Sequence, residues 1–301
     1  MRFRDAGAAD RPAILSLRAR CFGDVDREKQ SDAFWQWEFG RARITVAERD
    51  DGTIVSHLAL IDLPHAIDGQ TVAGALAVDA MTSPDARGEG AFSGVVQHAM
   101  RGSGHTVATA YQIRSAVLGA MLRGGWAVAE RVPVLIRPIV PIVDRMRAAA
   151  TRDQPRLLDR GDVGWMSACG VTDGCIARSA SFLTWRFFDN PEWRYRVTGI
   201  GADAYLVTRR TTLKGFDTLA VVDLGFRDAR AARALVRDAV AHAARERCTL
   251  AAAFVSRRHP AFGIMLRAGF LPGPHWFRLL VHPAPQAPRA WRVMWGDTDH
   301  L

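Results

Sequence analysis

The sequence predicts an α/β architecture of two tandem domains, each a twisted mixed sheet flanked by helices. Three observations carry this reading. At 301 residues the chain is too long for one small core and fits two domains of ordinary size. Through both halves, stretches with a hydrophobic period near two alternate with stretches near 3.6. Finally, "RSAVLGAMLRGGW" is answered later by "HPAFGIMLRAGF", each a helix with Leu-Arg before a terminal glycine and then an aromatic. That pairing marks a duplicated topology with most of its sequence signal worn away. The expected division is residues 1–145, a connection over 146–160, and residues 161–301.

The elements follow in order. "RFRDA" is a short strand, and Ala9 to Phe22 is a helix with Ile14, Leu15, Leu17 and Cys21 to one side. "DAFWQWEF" is a second helical piece whose Phe34, Trp35, Trp37 and Phe39 read as core at helical spacing. "RITVAER" and "TIVSHLALID" form a hairpin about Asp51-Gly52, a pair that readily supplies positive φ. "QTVAGALAVDAMTS" is read as one strand, Phe92 to Met100 as a helix and "HTVATAY" as a strand. "SAVLGAMLRGG" is a short helix, and "AVAERVPVLIRP" is read as a closing pair of strands. In the second half "YRVTGIG", "AYLVTRR" and "FDTLAVVDLGF" are strands, and "DARAARALVRDAVAHAARE" is a long helix. "TLAAAFV", "HPAFGIMLRAGF" and "WFRLLVHP" complete it as strand, helix and strand.

Composition narrows the function. The formal net charge is +9, yet of the 40 basic residues only Lys29 and Lys214 are lysine, and the arginines are scattered among 31 acids. A nucleic-acid groove would leave a basic stripe or tail, which this chain lacks. The four cysteines show no CxxC pair and no zinc spacing, so a metal is not expected and buried thiols are. The N-terminus has no apolar signal core, and "VPVLIRPIVPIV" is broken by Arg137 and three prolines. No membrane association and a cytoplasmic location are expected.

The chemistry centres on "SPDARGEGAFSG". A strand ends at Pro84, Arg87-Gly88-Glu89-Gly90 turns, and a helix starts. A helix start leaves backbone N–H groups over and carries partial positive charge. Glycines there remove the Cβ atoms that would hold a phosphate away, and Arg87 adds charge. A plain tight turn is the competing reading of the same residues. No Gly-Lys-Ser/Thr follows, which excludes a P-loop.

"VDAMTSPDARGEGAFSGVVQHA" resembles motif A of the GNAT (Gcn5-related) N-acetyltransferases, whose pattern is R-x-x-G-x-G/A. Arg87, Gly90 and Ala91-Phe92 occupy it, with Phe92 replacing the usual small final residue. "YQIRSAVLGAMLRGGW" is similar to motif B, and the second half resembles tandem, Eis-like members. The resemblance implies acetyl-CoA or another acyl-CoA as cosubstrate, its pyrophosphate held by Gly88, Glu89, Gly90, Ala91, Phe92 and Ser93 beside Arg87. It implies that Ala80, Met81 and Thr82 meet the pantetheine arm, and that Gln112 and Ser115 stand at the motif B positions. It also implies an N-acyltransferase acting on a primary amine of a small molecule or amino sugar. The second half lacks the R-x-x-G pattern after "TLAVVDL", so only the first domain is expected to bind the cofactor.

Catalytic groups are harder to read. Many family members carry a tyrosine acid on the motif B helix, and none follows Ser115 here. Asp79 stands as the candidate base or amine anchor and Tyr111 as the substitute acid. His57 and His65 read as ordinary core or surface histidines, and Asp297 and Asp299 as a solvated tail that could reach a cleft. Two alternatives share the fold: a transferase drawing its acyl group from aminoacyl-tRNA, and a non-catalytic CoA- or ligand-binding module.

Overall fold

The computed structural model describes residues 1–23, 27–112, 117–149, 155–286 and 289–298. Its elements begin β1 (Arg2–Asp5), α1 (Arg11–Phe22), α2 (Asp32–Phe39), β2 (Ala42–Glu48), β3 (Ile54–Asp62), β4 (His65–Ile67), β5 (Gln70–Val72), β6 (Gly74–Thr82). There follow α3 (Ala91–Met100), β7 (Val107–Gln112), α4 (Leu118–Arg123), β8 (Ala127–Pro138), α5 (Pro141–Ala149), β9 (Arg156–Leu157), α6 (Val163–Cys169), β10 (Cys175–Ile176) and α7 (Ala180–Leu183). The chain ends with β11 (Arg196–Ile200), β12 (Ala204–Leu213), β13 (Phe216–Phe226), α8 (Ala229–Arg245), β14 (Leu250–Phe254), α9 (Ala261–Arg267) and β15 (Leu271–His282).

Two compact units emerge. One comprises Met1–His65, Thr71–Glu130 and Arg278–Arg289; the other comprises Ala66–Gln70, Arg131–Phe277 and Ala290–Leu301. They differ from contiguous halves because strands pair by tertiary partner, which local periodicity does not encode. "AVAERVPVLIRP" is one strand, β8, not two, and it leaves the first unit at Glu130. Conversely, Arg278–His282 of β15 pairs antiparallel with β7 and so belongs to the first unit. The expected connection over 146–160 contains β9, an edge strand on β11.

The first unit's strands run β1-β2-β3-β6-β7-β15, all antiparallel except β6–β7. The second unit's run β8-β14-β13-β12-β11-β9, all antiparallel except β13–β14. A parallel pair needs a long crossover; α3 supplies it in one unit and α8 in the other. Each parallel pair runs over four residue partners, Gly74↔Val107 to Ala77↔Ala110 and Thr218↔Leu250 to Val221↔Ala253. The duplication read from the sequence is therefore present in the topology.

Packing follows the same logic in each copy. On α3, Phe92, Val95, Val96 and Ala99 fall at i, i+3, i+4 and i+7 and are buried against Leu58, Leu60, Ala75 and Ala77. Burying such side chains stabilises by about 1.5–3 kcal/mol for each large one. Gly94 sits mid-helix because a Cβ there would lie 2.1 Å from the Phe3 ring. α8 buries an alanine-rich face, Ala231, Ala232, Ala239 and Ala243, around Leu235 and Val236. The matching helices α4 and α9 end alike: Trp126 N–H donates to Met121 O at 3.2 Å and Phe270 N–H to Met265 O at 3.1 Å. Gly125 and Gly269 adopt φ +86° and +88°, so both helices close on a left-handed glycine and bury the aromatic that follows.

One feature is not anticipated above. "QTVAGALAVDAMTS" is broken into β5 and β6, and β4–β5 form a small hairpin whose turn places Asp68 at φ +51° and Gly69 at φ +73°. The Asp-Gly pair in "AIDGQ" is the signal that points to it. Among the described residues no helix is long and apolar enough to cross a membrane.

Candidate functional site

The site of the first unit grows from a strand that loses its neighbour. β6 pairs with β7 only as far as Ala77↔Ala110. On its other side it stays with β3, but Ala59↔Val78 is followed by His57↔Met81. Two residues, Asp79 and Ala80, therefore face Leu58, which is a β-bulge, and Asp79 takes φ +48°. Beyond the bulge a groove of about 530 Å³ opens, lined by Ala80, Met81 and Thr82 from β6.

The turn into α3 forms a second wall. Gly88 adopts φ +90° and Gly90 φ +82°, and a Cβ on either would meet no protein atom within 4 Å. What demands glycine is thus the backbone conformation, and what glycine leaves is open space. Gly90 is the N-cap and supplies no capping side chain. The Gly94 amide bonds to the Gly90 carbonyl at 3.0 Å, so Ala91, Phe92 and Ser93 are the amides a helix start leaves over. Arg49 fastens the turn from outside, 2.8 Å from Asp85 and 3.2 Å from Glu89. This pairing offsets two acids next to the helix start. Arg87 is exposed and makes no ion pair among the described residues.

The remaining lining has no local signal in the sequence that marks it as groove. Cys21 and Phe22 close the groove from the last turn of α1, and Val117, Ala120 and Arg123 from around α4. The Cys21 thiol donates to the Thr82 carbonyl at 3.3 Å, and Arg123 reaches the Ser93 hydroxyl at 3.3 Å. Helical spacing in α1 marks Cys21 only as inward-facing, and inward can mean core or groove. Phe92, the departure from the motif, is 8% exposed with its ring in the core.

Of the residues singled out from sequence, Ala80, Met81, Thr82, Arg87, Gly88, Gly90, Ala91, Phe92 and Ser93 line the groove. Glu89 turns instead to Arg49. Gln112 and Tyr111 lie buried at the end of β7, beside Arg278 and Leu279 of β15, and neither lines the groove. Ser115 falls outside the described residues, as does Asp299.

Asp79 also lies off the groove, in an ion cluster. Its Oδ1 is 2.7 Å from Arg18 Nη1 and 3.5 Å from Lys29 Nζ, and Lys29 is 2.9 Å from Glu38. Burial alone would raise the Asp79 pKa, but Lys29 and Arg18 outweigh it and hold the carboxyl well below its usual range. Such a carboxylate is a weak base near neutral pH. His57 donates Nδ1–H to the Asp79 carbonyl at 2.8 Å, and burial pushes its pKa down, so it stays neutral. His65 is fully buried between the Leu63 carbonyl and the Thr109 hydroxyl.

The second unit repeats the frame and closes it. Asp223 lies two residues past the last parallel pair, as Asp79 does. Arg178 joins it to Asp297 through contacts of 2.6–3.1 Å, and Tyr205 Oη donates to Asp223 at 2.8 Å. Asp297 is fully buried, so the expected solvated tail is corrected here: its carboxylate also accepts from the Ile176 and Met294 amides. At the start of α8 the N-cap is Asp228, whose carboxylate accepts from the Arg230 and Ala231 amides at 2.9 and 3.2 Å. An internal anion thus occupies the helix start that stands uncapped in the first unit. Among the described residues no cluster of His, Cys, Asp or Glu has the makings of a metal site.

Residues 2–124 match the family model of the acetyltransferase (GNAT) domain, a stretch that contains every lining residue of the groove. Among solved structures the chain is similar to a GCN5-related N-acetyltransferase from Kribbella flavida, at 17% identity and TM-score 0.68, over 93% of this chain and 71% of that one. It is similar to a GCN5-related N-acetyltransferase from Anabaena variabilis, at 14% identity and TM-score 0.64, over 93% and 72%. It is also similar to Eis1 from Mycobacterium abscessus, at 16% identity and TM-score 0.57, over 84% of this chain and 65% of that one. At these identities the likeness is one of fold. No curated protein matches the sequence.

Proposed function

We propose, because residues 2–124 match the family model of the acetyltransferase (GNAT) domain, that the chain is an N-acetyltransferase using acyl-CoA and a primary amine of a small molecule or amino sugar. The observation that carries this is the uncapped α3 start behind Gly88 and Gly90, opening into the groove with Arg87 beside it. Amides at a helix start and a nearby guanidinium suit a diphosphate. Ala91, Phe92 and Ser93 would hold it, and Arg87 and Arg123 would offset its charge. β6 past its bulge, Ala80 to Thr82, would take the pantetheine arm as an added strand. Acyl-CoA, when bound, supplies an activated thioester.

The chain's own residues then have two tasks. A main-chain N–H near Met81 would donate to the carbonyl oxygen as negative charge develops on it. The acceptor must also be neutral: an amine of pKa near 10.4 is only about one part in a thousand or so neutral at pH 7, a cost of roughly 4–5 kcal/mol. The charged side chains lining the groove, Arg87 and Arg123, are both cationic. Both serve the diphosphate, so lowering that cost falls to desolvation of the amine, which disfavours its charged form. The second unit, with Asp228 on its own helix start, would complete the fold without binding the cosubstrate.

Thermal unfolding tests this. Acetyl-CoA at a hundred times its dissociation constant should stabilise by about 2.7 kcal/mol, and thiol release with an amine panel should identify acceptors. A chain that acetyl-CoA leaves unstabilised, and that releases no thiol, would refute it.

A further inference from the structure

Next to the groove-lining Ala80 stands Asp79, which belongs to a buried ion cluster. The described non-glycine residues with positive φ are Asp68, Asp79, Lys214 and Arg247. Three of them sit in turns, and Asp79 alone sits inside a strand. A side chain held in that conformation persists only where its surroundings over-determine it, and such outliers gather at functional sites. Here the surroundings are specific. Arg18 arrives from α1, Lys29 from the segment before α2, and Glu38 from α2 itself. His57 reaches across from β3 to the Asp79 carbonyl at 2.8 Å. The four side chains of the ion cluster are at most 9% exposed. Lys29 is the first of the chain's two lysines, and it lies buried between two carboxylates.

The second unit provides an internal comparison. Asp223 stands at the matching place with its own arginine, Arg178, yet its backbone φ is not positive. The left-handed aspartate accompanies the unit whose helix start is uncapped and whose strand lines the groove.

We infer that Asp79 is a positioning residue: its ion cluster locks the β6 bulge so that the Ala80–Thr82 backbone presents a fixed edge to the thioester arm of the ligand. The identity of that ligand rests on the acyl-CoA reading above. The lock itself rests on the cluster. Removing it should loosen the arm's wall and leave the diphosphate wall, which Gly88 to Ser93 form separately.

The experiment uses the full chain carrying Asp79→Asn, which keeps the shape and loses the charge, and Asp79→Gly, which adopts the φ freely and loses the cluster. Amide hydrogen exchange over residues 78–82 should rise at least tenfold in both, with α3 unchanged. Affinity for acetyl-CoA should fall at least tenfold, while affinity for ADP, which carries a diphosphate and no arm, stays within twofold. Should Asp79→Asn not fold, the double change Asp79→Asn with Lys29→Met rebalances the buried charge. It should restore the melting temperature and leave exchange at 78–82 fast. Unchanged exchange over 78–82, or equal losses for acetyl-CoA and ADP, overturns the inference. If the unaltered chain holds neither probe, the acyl-CoA reading fails, and the exchange measurement still decides the lock.

Discussion

Replacing Gly90 with valine separates the helix start's chemistry from its conformation. Gly90 has φ +82°, and no atom lies within 4 Å of the added Cβ, so the folding cost is one of backbone strain without a clash. A left-handed L-residue costs about 1–2 kcal/mol, and a β-branched one falls at the upper end. For a unit of this size that amounts to a fall of about 3–8 °C in melting temperature. Binding should suffer more. Hydrogen bonds to a charged group contribute about 1.5–3 kcal/mol each, and loss of two amides from the diphosphate weakens CoA at least ~100-fold. Gly215→Val is a matched control, since Gly215 has φ +85° and equally open surroundings in the β12–β13 turn of the second unit. Calorimetric titration with CoA, alongside thermal unfolding, should show similar strain in both variants and lost binding only in the first. A Gly90→Val chain that bound CoA within threefold of the original would refute the anion seat.

Three further outcomes are expected. Asp228→Ala should destabilise the second unit by about 1 kcal/mol through loss of its cap, with CoA affinity unchanged; a parallel loss of CoA binding would contradict the assignment of the cosubstrate to the first unit. Arg178→Met leaves Asp223 and Asp297 buried without their cation, which should cost about 3–5 kcal/mol in denaturant unfolding and release Ala290–Thr298 to proteolysis; a loss below 1 kcal/mol would contradict the role given to this triad. Burial lowers the His259 pKa to about 3. Because the folded value lies below the ordinary 6.5, its stabilisation is complete above pH 6.5 and declines as pH falls toward 3, by about 3 kcal/mol at pH 4. Unfolding measured against pH should show this decline, and a His259→Gln chain should flatten it.

Much of the fold is legible because its signals are local. The terminal glycines Gly125 and Gly269 announce their helix ends, and the spacing of Phe92, Val95, Val96 and Ala99 announces a buried face. Gly88 and Gly90 mark the turn that walls the groove, since two glycines in four residues signal an unusual backbone conformation, a close approach or both. Asp79 is different. Its sequence neighbours describe a strand acid, while its partners Arg18, Lys29 and His57 arrive from three other segments, and Glu38, which holds Lys29, from a fourth. Cys21 and Arg123 escape for the same reason, since a wall built by three elements has no single period. Asp297 misleads because a polar run near a terminus normally stays in water, and here Arg178 and two amides hold it inside.

The strand Arg278–His282 carries a consequence for how the molecule is made and how it can be divided. β7 emerges from the ribosome with one edge bare, and the residues that cover it follow only after 113–277 have been made. Until then the first unit's sheet stops a strand short, an exposed edge of the kind that invites mispairing. Cutting the gene at the midpoint would not yield two working halves, because each copy of the fold is finished by amino acids encoded on the far side of the cut.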